Sequence, residues 1–285
     1  MTGPATDLRP GIPNALSIAG VDPSGGAGVF ADIKAFSAHG AYGCGVITAL
    51  TAQNTRAVDA VSAVPPDFIA AQIDTLFADV RIDAIKVGML GTVATIDMVA
   101  DRLSAISREV PIVLDPVMIA KSGDALLADD AVNALAEQLV PLATVITPNL
   151  PEAGVLLGRA APDSLPAMRR AVEQLRALMR AQNAWVLLKG GHLNNDDAVD
   201  LLFDGESLIE LRASRVATTN THGTGCSLSA AIAALLPQSP DVPDAIRTAK
   251  DWLWHAINGA HHLSVGSGHG PIHHFHAMWP RPQST

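Results

Sequence analysis

Between Ala84 and Leu188 short aliphatic runs alternate with longer amphipathic ones, and that alternation excludes most folds. The predicted strands are Ala84–Val87, Ile112–Leu114, Thr144–Ile146 and Trp185–Leu188. The helices between them are Thr92–Ser107, Asp129–Leu139 and Leu165–Ala181. Strands separated by helices at this spacing pair in parallel, and the crossover helices cover both faces of the sheet. Upstream, the same reading gives a strand over Ala15–Ala19, a loop from Gly20 to Gly28 and a helix to about His39. An extended stretch over Tyr42–Gln53 follows, and then a helix over Asp67–Val80 with Ile69, Ile73, Leu76, Phe77 and Val80 on one face. Downstream, Ala198–Phe203 and Leu208–Arg212 read as a hairpin turning at Asp204-Gly205, and a long helix is expected over Asp244–His262. The expectation is an α/β protein of three layers, α/β/α, with a mostly parallel central sheet and a small β-hairpin. One domain spans 14–285, preceded by a loose arm over 1–13 that is rich in proline and glycine.

Charge and cysteine use narrow the function classes. The formal charge is −9 and no cluster of lysine or arginine offsets it, which argues against nucleic acid as a partner. No apolar run approaches the ~20 residues of a membrane helix, and Met1 to Pro13 has neither the basic start nor the apolar core of a secretion signal. The expected location is the cytoplasm, away from membranes. Cys44 and Cys226 show no C-x-x-C spacing, so reduced thiols are the default.

The stretch Thr221-His222-Gly223-Thr224-Gly225-Cys226-Ser227 runs into an apolar helix over Leu228–Leu236. The first amides of a helix lack internal partners and its dipole makes that end electropositive, so such a loop attracts anions. The same field favours thiolate at Cys226 and is expected to lower its pKa. On this stretch alone, a helix cap with a small buried cysteine is as good a reading. The loop Gly20 to Gly28 is not a P-loop, because Gly26-Ala27 stand where Lys and Ser or Thr are required, and no G-x-G-x-x-G is present. In a parallel sheet, ligands bind beyond the carboxyl ends of the strands. Asp115, Thr147, Asn149, Glu152 and Lys189-Gly190-Gly191 all fall there, so one mouth can gather them. The C-terminal histidines, His273-His274-x-His276 among them, are read as surface or packing residues rather than metal ligands.

Long stretches in order resemble the ribokinase-like family of small-molecule kinases, and within it those acting on hydroxymethylpyrimidine and its phosphate in thiamine synthesis. The carriers are Ala19 to Gly28 with Ala31-Asp32, Gly40 to Cys44, Ala52 to Thr55, Lys86 to Gly91 and Leu114 to Met118 before Lys121-Ser122-Gly123. Thr147 to Ala153, Leu188 to His192 and the loop at Thr221 complete them. Where the wider family has a catalytic aspartate after the second glycine of this loop, the chain has Cys226. The resemblance implies two successive ATP-dependent phosphorylations, with Gly223, Thr224, Gly225 and Cys226 around the transferring phosphoryl group and Cys226 as base. It implies Lys189, Asn149 and Thr224 at the phosphates, Asp115 and Glu152 near Mg2+, and Gly20, Asp32, Gln53 and Met89 around the pyrimidine. A homodimer is also expected. The rival readings are a pyridoxal or pyridoxine kinase of the same fold and a pyrimidine-binding regulator without turnover.

Overall fold

The structure is a computed structural model that describes residues 11–118, 127, 129–191 and 197–279. The N-terminal arm, Lys121-Ser122-Gly123 and His192 lie outside the described residues for all or most of their length.

Nine described strands form one sheet: β1 (Asn14–Val21), β2 (Tyr42–Gln53), β3 (Val58–Ala63), β4 (Ala84–Val87), β5 (Ile112–Leu114), β6 (Val145–Ile146), β7 (Trp185–Leu188), β8 (Asp197–Phe203) and β9 (Leu208–Ser214). Their order is β3-β2-β1-β4-β5-β6-β7-β8-β9. Pairing is parallel from β2 through β7, while β3 at one edge and β8 and β9 at the other run antiparallel. The predicted hairpin is present, and because β8 pairs with β7 it extends the central sheet.

Strand residues alternate between two cores, as a side-chain period of two requires. Leu16, Ile18, Ile85, Val87, Ile112 and Leu114 face helices α2 (Pro66–Phe77), α3 (Val93–Ser104) and α6 (Leu165–Ala177). Ala15, Ala84, Val113, Val145 and Leu187 face α1 (Gly28–Ala38), α7 (Thr224–Leu235) and α8 (Val242–Asn258). The remaining helices are α4 (Asp129–Ala134), continued by a π-helical turn over Leu135–Leu139, and α5 (Leu150–Leu156). Strand β3 and helix α5 are absent from the sequence reading. β3 is almost wholly exposed, so it carries no apolar alternation. α5 is short and begins with a capping box, Asn149 and Glu152 exchanging side-chain and backbone hydrogen bonds at 2.8 Å. No helix among the described residues is long and apolar enough to cross a membrane.

The C-terminal histidines pack. His273 and His274 are buried, His274 Nε2 lies 2.9 Å from Ser227 Oγ, and Trp252 meets the edge of His39 with ring centroids 4.7 Å apart. Among the described residues no group of three His, Cys, Asp or Glu side chains is arranged to hold a metal. Burial pushes His274 down to about 3 and His39 down to about 4, the latter with help from His276.

Two outcomes follow from this packing. Ile85→Ala, in the centre of the sheet, is expected to lower the unfolding free energy by ~2–5 kcal/mol, read from urea midpoints. His39 and His274 stay neutral in the folded protein, while the unfolded chain takes up protons near pH 6.5. Stability is therefore expected to fall as pH drops from about 6.5 toward 4, with a shallower fall in His274→Gln. Urea unfolding across that range measures it.

Candidate active site

Because β2, β1, β4, β5, β6 and β7 run the same way, their carboxyl ends open on one edge of the sheet. There a cavity of about 830 Å³ is formed. The register between β1 and β2 slips between Ala19 and Val21, which turns the chain at Gly20 toward it. α7 packs against β1, β4 and β5 and directs its N-terminus to the same edge.

Glycine is required at that N-terminus. Gly223 caps α7 with φ 74° and ψ 12°, and a Cβ there would collide with the carbonyl oxygen of Gly26. The loop before α1 and the loop before α7 are thus interlocked. Asp22 completes the lock: its carboxylate accepts from Ser24 N at 2.8 Å, Ser24 Oγ at 2.9 Å and Ala27 N at 2.9 Å. The same carboxylate meets His222 Nε2 at 2.7 Å. Burial opposes ionisation of Asp22, but these hydrogen bonds, that from His222 foremost, hold its pKa below the ordinary value.

On the opposite wall, Lys189 at the end of β7 reaches Asp115 Oδ1 at 3.2 Å, and Thr147 Oγ1 donates to the same oxygen at 3.1 Å. Burial works against the Lys189 charge, yet Asp115 and Glu152 keep its pKa above the usual lysine value. Burial pushes the Glu152 carboxyl up to about 7, opposed by Lys189 and reinforced by Asp115. The pairing of Lys250 with Asp200, whose other oxygen accepts from Gly190 N at 2.9 Å, stiffens the turn after Lys189. Beyond them Trp254 Nε1 donates to Ser214 O at 2.9 Å, and both residues line that end of the cavity.

Thr147 and Gly190, expected at the same mouth, are not in the cavity wall, whereas of the twelve residues to which the resemblance assigns a role eleven line it: Gly20, Gln53, Met89, Asp115, Asn149, Glu152, Lys189, Gly223, Thr224, Gly225 and Cys226. Asp32 does not. It is fully buried behind the wall, where its Oδ2 accepts from Lys86 Nζ at 2.7 Å and Ser17 Oγ at 2.5 Å. The residue that reaches the cavity is Lys86. Asp32, expected beside the pyrimidine, is thus set back from the cavity with its lysine between, because the helical turn aims the carboxylate under the sheet.

A second correction concerns Cys226. Burial pushes its thiol up to about 11, against the opposing charge of Lys86, and so outweighs the lowering expected at a helix end.

Lys86, Asp22 and His222 received no role from the sequence alone. A lysine inside the apolar strand Ala84–Val87 is a detectable signal, since an ionisable side chain in a doubly covered strand needs a partner. His222 carries no local signal because Asp22 lies 200 positions away. Chemically, the site combines helix-end amides, a paired lysine and two carboxylates, a set suited to holding polyanionic phosphates.

The elevated thiol predicts slow chemistry. Iodoacetamide is expected to modify Cys226 of the ligand-free protein at pH 8 at least ~10-fold more slowly than an ordinary thiol, followed by mass spectrometry. Modification at the free-thiol rate would contradict the burial argument.

Comparison with known proteins places this geometry in context. The sequence model of the family described as phosphomethylpyrimidine kinase matches residues 22–273. The chain is 52% identical over 266 residues to the hydroxymethylpyrimidine/phosphomethylpyrimidine kinase of Escherichia coli (strain K12), covering 93% of this chain and 98% of that protein. Among solved structures, a Bacillus subtilis pyridoxal kinase in complex with ADP superposes with a TM-score of 0.85 at 37% identity, covering 94% of this chain and 99% of that one. A phosphomethylpyrimidine kinase from Clostridium difficile 630 superposes with a TM-score of 0.75 at 38% identity, covering 86% and 99%.

Proposed function

The chain belongs to the phosphomethylpyrimidine kinase family, and from that premise we propose the reaction its cavity serves. The protein phosphorylates 4-amino-5-hydroxymethyl-2-methylpyrimidine with ATP to the monophosphate, and then the monophosphate to the diphosphate, in thiamine biosynthesis. The observation that carries this reading is the meeting, in one cavity, of the α7 N-terminus with Lys189, Asp115 and Glu152.

In the reading we favour, the amides of Gly223, Thr224, Gly225 and Cys226 face the charge that develops on the transferring phosphoryl group. Lys189, Asn149 and Thr224 hold the ATP phosphates. Asp115 and Glu152 offer hard carboxylate oxygens, and two such groups beside phosphates suit Mg2+, which keeps much of its water and does not need an all-protein cage. Bound there, Mg2+ would supply positive charge to the phosphates. Gln53 presents an amide that both donates and accepts to the aminopyrimidine edge, Gly20 lets the backbone approach, and Met89 covers the ring face with a thioether.

Cys226 takes the hydroxyl proton. With a pKa of about 11 it is almost wholly protonated before the substrates arrive, so it accepts the proton as the thiolate, after its own proton has passed to solvent. Its position in the first turn of α7, with Lys86 in its electrostatic neighbourhood, is what suits it to the task once the acceptor is bound.

A second reading draws on the Bacillus subtilis pyridoxal kinase, whose fold is shared across 94% of this chain. Pyridoxal is another hydroxymethyl heteroaromatic, and competition between the two alcohols separates the readings. Association into a homodimer is part of the proposal, supported by the exposed edge strand β3 and the outward Tyr42, Leu50 and Val61 of β2 and β3. A cytoplasmic setting accords with the two free cysteines.

An ADP-release assay with hydroxymethylpyrimidine, its monophosphate and pyridoxal tests the reading. ADP is expected with the first two at higher kcat/KM than with pyridoxal, and no ADP from either pyrimidine would end it. Cys226→Ala is expected to cut kcat on the alcohol ~10²–10⁴-fold with little change in its KM.

A further inference from the structure

Lys86 is an ammonium whose hydrogen-bonding capacity the protein leaves largely unused. Its side chain is fully buried, and its Nζ lies 2.7 Å from Asp32 Oδ2. That oxygen also accepts from Ser17 Oγ at 2.5 Å, while Asp32 Oδ1 has no hydrogen-bond partner among the described residues. An ammonium carries three N–H groups, and among the described residues only Asp32 is a hydrogen-bond acceptor for this one. The other cavity lysines are likewise paired with one carboxylate each, Lys189 with Asp115 and Lys250 with Asp200, and Lys189 stands with the ATP phosphates in the reading above. Gly88 packs directly against Lys86: a Cβ there would come within 2.6 Å of its Nζ, so only glycine fits beside the ammonium. Both Lys86 and Met89, three residues on, line the cavity, together with Gly20 and Gln53.

We propose that Lys86 receives the phosphate of a phosphomonoester acceptor, and that it therefore serves the second phosphorylation more than the first. This rests on the reading above that one cavity takes both acceptors.

The two acceptors make different demands. In the first transfer a neutral alcohol attacks: its oxygen bonds to the γ-phosphorus, the bond from that phosphorus to the β–γ bridging oxygen breaks, ADP leaves with the electron pair, and the hydroxyl proton goes to a base. In the second, a non-bridging oxygen of the monophosphate makes the same bond as the same bridge breaks. The acceptor phosphate already carries a charge of about −1.5 to −2 at neutral pH, so its attacking oxygen need not lose a proton. What it needs is a counter-charge, because it must approach the γ-phosphate, another anion, inside a cavity of low dielectric. The helix-end amides are engaged by the transferring group. Lys86 stands on the acceptor side with donors to spare, and Asp32 neutralises it when the acceptor is an uncharged alcohol.

Removing Lys86 alone would leave Asp32 as a lone buried carboxylate, so the test uses Asp32→Asn combined with Lys86→Met, and separately Lys86→Arg. For each, kcat/KM for ADP release is measured on hydroxymethylpyrimidine and on its monophosphate. In the double variant the ratio of monophosphate to alcohol activity is expected to fall at least ~30-fold, mainly through KM for the monophosphate, with KM for ATP moving less. Lys86→Arg is expected to move the ratio the same way by a smaller factor, and it decides the matter if the double variant fails to fold by circular dichroism. Cys226→Ala is expected to shift the ratio in the opposite direction, since only the alcohol requires a base. A monophosphate-to-alcohol ratio within about twofold of wild type in the folded Lys86 variants, or one that rises in them, would overturn the assignment. Wild-type protein that releases ADP with neither acceptor would instead remove the proposed function on which it rests.

Discussion

The burial of α7 is the constraint from which the site follows. From Ser227 to Ala234 every residue is buried, which happens only when a helix is covered on all sides. Alanine and serine dominate that stretch, and small side chains let the helix lie close to β1, β4 and β5 while α1 and α8 close over it. A helix held so tightly has no freedom at its first turn. The amides of that turn are fixed over the carboxyl edge of the sheet, where the parallel strands deliver Lys86, Asp115 and Lys189. The anion-binding geometry is therefore a by-product of core packing, and it exists before any ligand arrives.

The cavity also resolves how a protein of charge −9 can be built to bind polyanions. The cations that line it are few and each is engaged: Lys86 with Asp32, Lys189 with Asp115, Lys250 with Asp200, and Arg215 with the carbonyl oxygen of Gly191. Pairing holds each side chain in one place, and for Lys86 and Lys189 it keeps the charge despite burial. The neutral amides at α7 carry no such cost, so the centre of the site is built from backbone and the cations stand around it.

Much of this was legible in the sequence, for a physical reason. A parallel sheet fixes which end of each strand is chemically open, so Asp115, Asn149 and Lys189 are placed on one rim by strand periodicity alone. The family resemblance then added Gly20, Gln53 and Met89, which the cavity does bring together. Where the reading missed, the determinant was long-range or a matter of burial. Asp32 belongs to a helix whose rotation about its axis is set by Phe36 and Ala35 entering the core, and that rotation sends the carboxylate to Lys86. The pKa of Cys226 depends on how much water α7, α1 and the sheet exclude, which no local pattern records. The short α5 was nevertheless announced by its capping pair, Asn149 and Glu152, three residues apart.

The interlock of the two glycine loops ties the halves of the site to each other. Phosphoryl transfer requires acceptor oxygen, phosphorus and leaving oxygen to lie nearly in line, and errors on the order of 1 Å are costly. In the proposed reaction the loop that follows β1 borders the acceptor end, and the loop before α7 borders the transferring group. Gly223 against the Gly26 carbonyl and His222 against Asp22 leave these loops almost no relative motion. The C-terminal segment reinforces the arrangement from outside: Gly270 O accepts from His222 N at 3.0 Å, and His274 meets Ser227 in the first turns of α7. Residues at opposite ends of the chain thus fix one distance between them. Because that distance is set by close backbone contact and not by long side chains, acceptor and donor are brought into register by the fold itself.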